Sequence, residues 1–337
     1  LPMANIALRS PQFKHIGIPL AGVLSTTCTV TVDGVLRYTL TKNVTPSSIV
    51  NFDISELARD FLEVQYDSNF ITQYVNIVTV LTNNAGLNGT GASVGSSATF
   101  TDNGFESYGT FEEGSNPSSI GGRTSPTVLI AQDNIATTPT FTIFSPSGLG
   151  GVIPYIESDG TVLAHTYTSI ETSVTTTGGT NVSIVKIDST KYGSGKKIIF
   201  INKFGAQQEL WFSAKNKKSL SRSNENYKSN TITYPNSDSH ATYSVNAAAN
   251  RTFNTQAKQS HTLSSGFYPE FANEFFEQLL LSEYVWLERK SKGSDVLEVV
   301  PVTVKTSSIA FKTSVNDRLI EYNIEFNEAY DYINNIR

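Results

Sequence analysis

The chain has 337 residues, a length natural for two or three domains, and its 39% aliphatic and aromatic residues are enough for a sizeable core. Charged residues make up only 16%, and Ser, Thr, Asn and Gly take their place, which suits exposed strand faces and turns and argues against a helical or disordered chain. The net charge of −5 leaves no whole-chain field to draw in nucleic acid or an anionic membrane, and the lone Cys28 excludes an internal disulfide and a cysteine-rich metal site. The expectation is a mainly β protein of β-sandwich or β-barrel domains with two short amphipathic helices.

Met3 is the single methionine, and Leu1-Pro2 ahead of it reads as an upstream start or an expression remnant. "IGIPLAGVL" (16–24) follows Arg9 and Lys14 as a signal peptide would, but Pro19 and two glycines interrupt it and a strand pattern follows at once. No run reaches the ~18 apolar residues of a membrane span. "TCTVTVDGVLRYTL" (27–40) is a hairpin: Cys28, Val30 and Val32 share one face, Asp33-Gly34 makes the two-residue turn, and Leu36, Tyr38 and Leu40 continue the inward face. The period changes in "FDISELARDFLEV" (52–64). Ile54, Leu57, Ala58 and Phe61 fall at helical spacing there, with Asp53 or Ser55 as cap. A strand at 73–81 closes a first domain over 1–82.

From Asn83 to about Ser125 the chain is rich in Gly, Ser and Asn and reads as a long loop, too polar for a core of its own. Short strands at "TVLIAQ", "TFTIFS", "GVIPYIE", "VLAHTYT" and "NVSIVKID" complete a loop-rich middle β domain over 83–190. The C-terminal β domain, 191–337, opens on "KKIIFIN", where Ile198 and Phe200 face one way and Ile199 and Ile201 the other. A strand apolar on both faces lies between layers. Phe204-Gly205-Ala206 turns it back into "ELWFSA", and a basic, serine-rich run follows. A helix over 269–282 starts at Pro269 and carries Phe271, Phe275, Phe276, Leu279 and Leu280. The chain then runs "YVWLE", a KSKGSD turn, "VLEVVPVTV", "SSIAFKT", a turn at Asn316-Asp317, and a last strand whose Ile320, Tyr322, Ile324 and Phe326 alternate with polar residues.

No catalytic, cofactor or metal site emerges. The four histidines, His15, His165, His240 and His261, lie far apart, and no sequence neighbour of any is a carboxylate. Glu112-Glu113 is the one pair placed to act as acid and base on a glycan. "TDNGFE" (101–106) begins like a calcium loop but lacks the closing glutamate, so it reads as a turn. "YGSGKKIIF" has its glycines before a strand, the wrong order for a phosphate-binding loop. Trp211 and Phe212 followed by Lys215, Lys217 and Lys218 would suit base stacking and phosphate contacts. Glu209 and Glu225 dilute that charge, so these five residues are instead candidates for a protein interface, with nucleic acid as the weaker reading.

Four stretches carry a resemblance. They are "ANIALRSPQF" with "LRYTLTKN" and "FDISELARDFLEV", the "YGTFEEGSN" loop, the "IFINKFGAQQELWFSAK" hairpin, and the end from "LSSGFYPEFANEFFEQLLLSEYVWLE" to "RLIEYNIEFNEAY". Together they resemble structural proteins in the tails of tailed bacteriophages, particularly those of marine and Bacteroidetes phages. The resemblance implies a distal tail, hub or baseplate component of the virion, oligomeric, bound to other tail proteins, in reach of a host glycan or receptor, and not an enzyme. Two alternatives are a jelly-roll capsid protein and a surface adhesin. The adhesin would expose Trp211 or Trp286 in a cleft. A glycan-degrading enzyme would bring carboxylates together near Glu112.

Overall fold

The computed structural model describes residues 4–19, 22–132, 141–187, 195–234, 240–291, 293–313 and 318–333. The chain is mainly β. Its first strands are β1 (Ala4–Ala7), β2 (Phe13–Gly17), β3 (Ser25–Val32), β4 (Val35–Asn43), β5 (Ile49–Asp53), β6 (Tyr74–Asn84) and β7 (Ala98–Phe105). Five of them form a sheet in the order β1-β7-β6-β3-β4, while β2 and β5 pair separately. One core holds both together, with Cys28, Val30, Val32, Ile77 and Leu81 from the sheet against Ile16, Val50 and Phe52. Burial pushes the Cys28 thiol up to about 11, so it packs as a small apolar side chain.

The hairpin expected at 27–40 is present, with Asp33 and Gly34 at φ 49° and 78°. One detail differs. Arg37 is an extra residue in β4, because Val30 pairs with Tyr38 but Thr31 pairs with Leu36. The bulge flips the pleat, so Tyr38 and Leu40 keep the inward face and Leu36 turns out, 59% exposed. The first helix is shorter than its periodicity, α1 (Ser55–Arg59). Neither expected residue caps it. Ile54 holds the cap position, and Asp53 Oδ1 instead accepts from Ser55 N, Ser55 Oγ and Gln12 N at 3.0, 2.7 and 3.0 Å.

The long loop expected from Asn83 contains β7, which pairs with β6 and, in parallel, with β1. The boundary at 82 therefore falls inside the first sheet. "TDNGF" hides a strand because its buried positions are polar. Asp102 lies 2.7 Å from Lys14 Nζ, and a Cβ on Gly104 would stand 2.7 Å from Ile77 and Leu8 side-chain carbons. Neither a turn nor a calcium loop forms there.

The middle strands are β8 (Thr127–Val128), β9 (Phe141–Pro146), β10 (Gly151–Ile156), β11 (Val162–Tyr167), β12 (Ser173–Thr175) and β13 (Asn181–Ile187). They make two three-stranded sheets, β11-β10-β8 and β12-β13-β9, closed over Val128, Phe141, Ile153, Tyr155, Val182 and Ile184 as a small sandwich.

The remaining strands are β14 (Lys196–Ile201), β15 (Gln207–Phe212), β16 (Asn216–Lys228), β17 (Ile232–Thr233), β18 (Thr242–Tyr243), β19 (Asn250–Ser264), β20 (Tyr268–Pro269), β21 (Val285–Lys290), β22 (Leu297–Val304), β23 (Leu319–Ile320) and β24 (Asn323–Glu328). Seven of them form one sheet, β15-β14-β21-β22-β24-β19-β16. The expected second helix is a 3-10 turn (Glu270–Ala272) running into α2 (Asn273–Leu281), whose Phe275, Phe276 and Leu279 cover Ile198, Phe200, Leu210 and Phe326 on one face of this sheet. The last strand buries Ile320, Tyr322, Ile324 and Phe326 as its alternation predicts, but it is split. β23 pairs with β20, and β24 joins the large sheet. "SSIAFKT" forms no strand, and the turn expected at Asn316-Asp317 lies outside the described residues. Among the described residues no helix is long and apolar enough to cross a membrane.

Candidate assembly surface

The two-sided strand β14 is paired on both edges, hydrogen-bonded to β15 and β21. Ile198 and Phe200 face α2, while Ile199 and Ile201 face Phe70 and Tyr66 of the N-terminal unit, with Trp286 alongside. Both layers that the sequence demands come from the same chain. The turn of the hairpin is a junction of all three units: Phe204 and Ala206 pack with Phe105 from the first unit and with Leu129 and Ile156 from the second. Gly205 has φ +81°, and a Cβ there would sit 3.2 Å from Glu106 N. Asn202 ties the turn. Its Nδ2 donates to Leu129 O at 2.9 Å, and its Oδ1 accepts from Phe204 N and Ala206 N at 3.0 and 3.2 Å. Gln207 exchanges bonds of 2.9 Å with the Asp67 backbone in both directions.

This corrects the place expected for two interface candidates. Trp211 and Phe212 lie inside the chain's own core, 5% and 0% exposed. The Phe212 ring meets Phe276 and Phe326 edge-on, and Tyr268 Oη donates to Trp211 O at 2.6 Å. Trp286 is buried as well, so neither tryptophan offers the exposed ring an adhesin cleft would use. The residue pattern shows that the strand is apolar on both faces, and the cover turns out to be internal. Lys215, Lys217 and Lys218 are exposed, at the start of β16.

Ion pairs reinforce the junction. Arg59 Nε and Nη2 meet Glu106 at 3.0 and 2.5 Å, and Nη2 reaches Glu283 at 2.6 Å, linking the first unit to the segment after α2. Those hydrogen bonds with Glu106 hold the Arg59 guanidinium firmly protonated. Lys197 lies between Glu209 at 3.3 Å and Glu288 at 2.8 Å. Burial raises the Glu209 carboxyl above its ordinary range, and Lys197 opposes that only in part.

The carboxylates near Glu112 do not form an acid–base pair. Glu113 accepts from Thr110 N at 2.6 Å and pairs with Lys203 at 3.0 Å. Burial works against its ionisation, but these bonds win and lower its pKa. Glu112 is exposed. Of the histidines, His261 has a carboxylate partner, Glu328 Oε1 at 3.0 Å, and Arg289 pairs with the same oxygen. Burial lowers the His261 pKa, more strongly than Glu328 raises it. Among the described residues no group of three or more His, Cys, Asp or Glu could hold a metal.

The feature with no cover is the ribbon of β16 and β19. These strands pair from Asn216↔Leu263 to Lys228↔Asn250, but β24 supports β19 only from Ser260 to Ser264. Beyond that support the pair runs on from Leu220 to Lys228, about 30 Å at ~3.3 Å per residue. Tyr332 N donates to Ala257 O at 2.8 Å beside its root, and a bulge at Asn254 (φ 48°) lies farther out. The ribbon and its tip expose Leu220, Tyr227, Ile232, Tyr234, Tyr243, Val245 and Phe253, and the Tyr227 and Phe253 rings meet edge-on at 5.5 Å. The residues from Lys215 to Ser264 hold seven lysines and arginines against two acidic residues, or +5, while the rest of the chain carries −10. Sequence reasoning finds the lysines but reads 226–246 only as a polar stretch. The spaced Tyr227, Ile232, Tyr234 and Tyr243 are the signal that could have marked it as more.

Compared with protein-family models, curated proteins and solved structures, the chain matches none.

Proposed function

We propose that the chain is a structural subunit of a phage tail, built into an oligomeric ring or hub, with a mechanical rather than a catalytic role. The observation that carries the assembly part is the unsupported ribbon. An isolated two-stranded hairpin is marginal in water, and an exposed strand edge with Leu220, Tyr227 and Phe253 in solvent invites pairing or packing with another surface. Its lysines and arginines keep that edge soluble until a partner of opposite charge covers it. The four stretches similar to tail proteins support the placement in a tail.

In this reading the buried junction fixes the three units against one another and the ribbon makes the contacts between copies. Mass measurement and negative-stain imaging of the purified 36.7 kDa chain test it. Closed rings or stacked rings are the expected result. Icosahedral shells would transfer the chain to the capsid class, and a monomer at every concentration would overturn the assembly.

A further inference from the structure

The surface from which the ribbon springs holds an apolar cleft. It has a volume of about 700 Å³ and is lined by Phe144, Ser213, Gly266, Phe267, Leu319 and Glu321. A second cleft of about 680 Å³ adjoins it through Pro269 and is bounded by Phe271, Glu270, Glu274 and Arg318. Phe267 and Phe271 are 69% and 48% exposed, so two phenylalanines stand on the surface next to a cavity. Glu270 in the 3-10 turn is followed at about one-turn spacing by Glu274 and Glu277 on α2, with exposed Leu281 beyond them.

We infer that these clefts receive the ribbon of a second copy of this chain, an inference that rests on the assembly proposed above. Three observations select a second copy over an unrelated partner. The ribbon segment is basic (+5) and the rest of the chain acidic (−10), so one copy's ribbon is attracted to another copy's body. Both surfaces also pair aromatics with charge of opposite sign: Tyr227 and Phe253 beside Lys228 and Arg251 on the ribbon, Phe267 and Phe271 near Glu270 and Glu274 on the body. Finally, Ser213, Ala214 and Gly266, at the root of the ribbon, line the cleft. A copy that accepts a ribbon therefore projects its own from the same place. Such a contact is heterologous, and repeated it closes a ring or extends a filament. The aromatic rings provide buried contact area, and the charges orient the ribbon and exclude the reverse docking.

The test is zero-length carbodiimide cross-linking of a one-to-one mixture of light and heavy-isotope protein, read by mass spectrometry. Links from ribbon lysines such as Lys228 to Glu270, Glu274 or Glu277 that join one light and one heavy peptide are the expected result. In parallel, Glu270→Lys/Glu274→Lys is expected to weaken association about tenfold or more. Adding Lys228→Glu/Arg251→Glu to the same chain restores it, because each contact then has its charges exchanged. Thermal melting confirms that each variant is folded, and the cross-links on the unsubstituted chain do not depend on any variant. Oligomers that ignore the charge reversals and link only elsewhere would overturn this docking while leaving the assembly in place. A chain that stays monomeric would overturn both.

Discussion

The hairpin β14–β15 and the ribbon β16–β19 follow one another in the chain, and both are antiparallel pairs, yet they meet opposite fates. The first is held on every side. Its strands sit at one end of the seven-stranded sheet, α2 covers one face, the N-terminal unit covers the other, and its turn is packed against both the first and the middle unit. The second leaves the opposite edge of the same sheet and keeps every β16 side chain beyond Leu220, and those of β19 from Asn250 to Asn254, in solvent. The difference lies in what each must bury. β14 and β15 bring a large apolar side chain to both faces, at roughly 1.5–3 kcal/mol for each one fully buried. β16 has backbone hydrogen bonds and few apolar groups, so the fold gains little by covering it.

If that contrast is right, substitutions in the hairpin turn are costly and those in the ribbon are not. Phe204→Ala should have the largest effect, a loss of about 3–5 kcal/mol, because the ring is 1% exposed and fills the space between three units. Chemical denaturation checks it, and a loss under 1 kcal/mol would mean the units hold together without this turn. Asn202→Ala follows at about 1–3 kcal/mol, since the Phe204 and Ala206 amides and the Leu129 carbonyl lose a buried partner. Gly205→Ala should cost more than about 1 kcal/mol, from its positive φ and the close approach to Glu106 N.

A pH titration probes the sheet near the ribbon root. Burial holds the folded His261 below its ordinary pKa of 6.5, so the unfolded chain takes up the proton first. Stability from this group is therefore complete above pH 6.5 and is lost as pH falls from there toward the folded pKa. Glu328, Arg289 and Lys218 face the ring and share in the effect. His261→Gln should flatten that part of the stability curve, and an unchanged slope would assign the loss to other groups. The smallest effect belongs to Tyr227→Ser/Phe253→Ser in the ribbon, within about 0.5 kcal/mol for the monomeric fold. A large loss of monomer stability there would show that the ribbon is part of the chain's own core.

Much of the fold is legible in the residues alone. The hairpin about Asp33-Gly34, the two-sided strand at 196–201, the phenylalanine stripe of α2 and the alternation of the last strand each follow from short-range rules of pleat, turn and helix period. The candidate surface is legible only in its charges, Lys215, Lys217 and Lys218. The aromatic half, Trp211 and Phe212, goes to the interior, while exposed Phe271 reads from sequence as part of the helix and exposed Phe267 lies just ahead of it.

Periodicity thus determined, from sequence alone, which faces are apolar and where the chain turns. What covers each face was decided by tertiary structure, because that depends on segments about a hundred residues or more away, such as Phe70 against Ile199 and Phe105 against Phe204. The same holds for polar strands such as β7 and β16. Backbone hydrogen bonds hold them in place, and a backbone amide leaves no mark on the residue type that bears it.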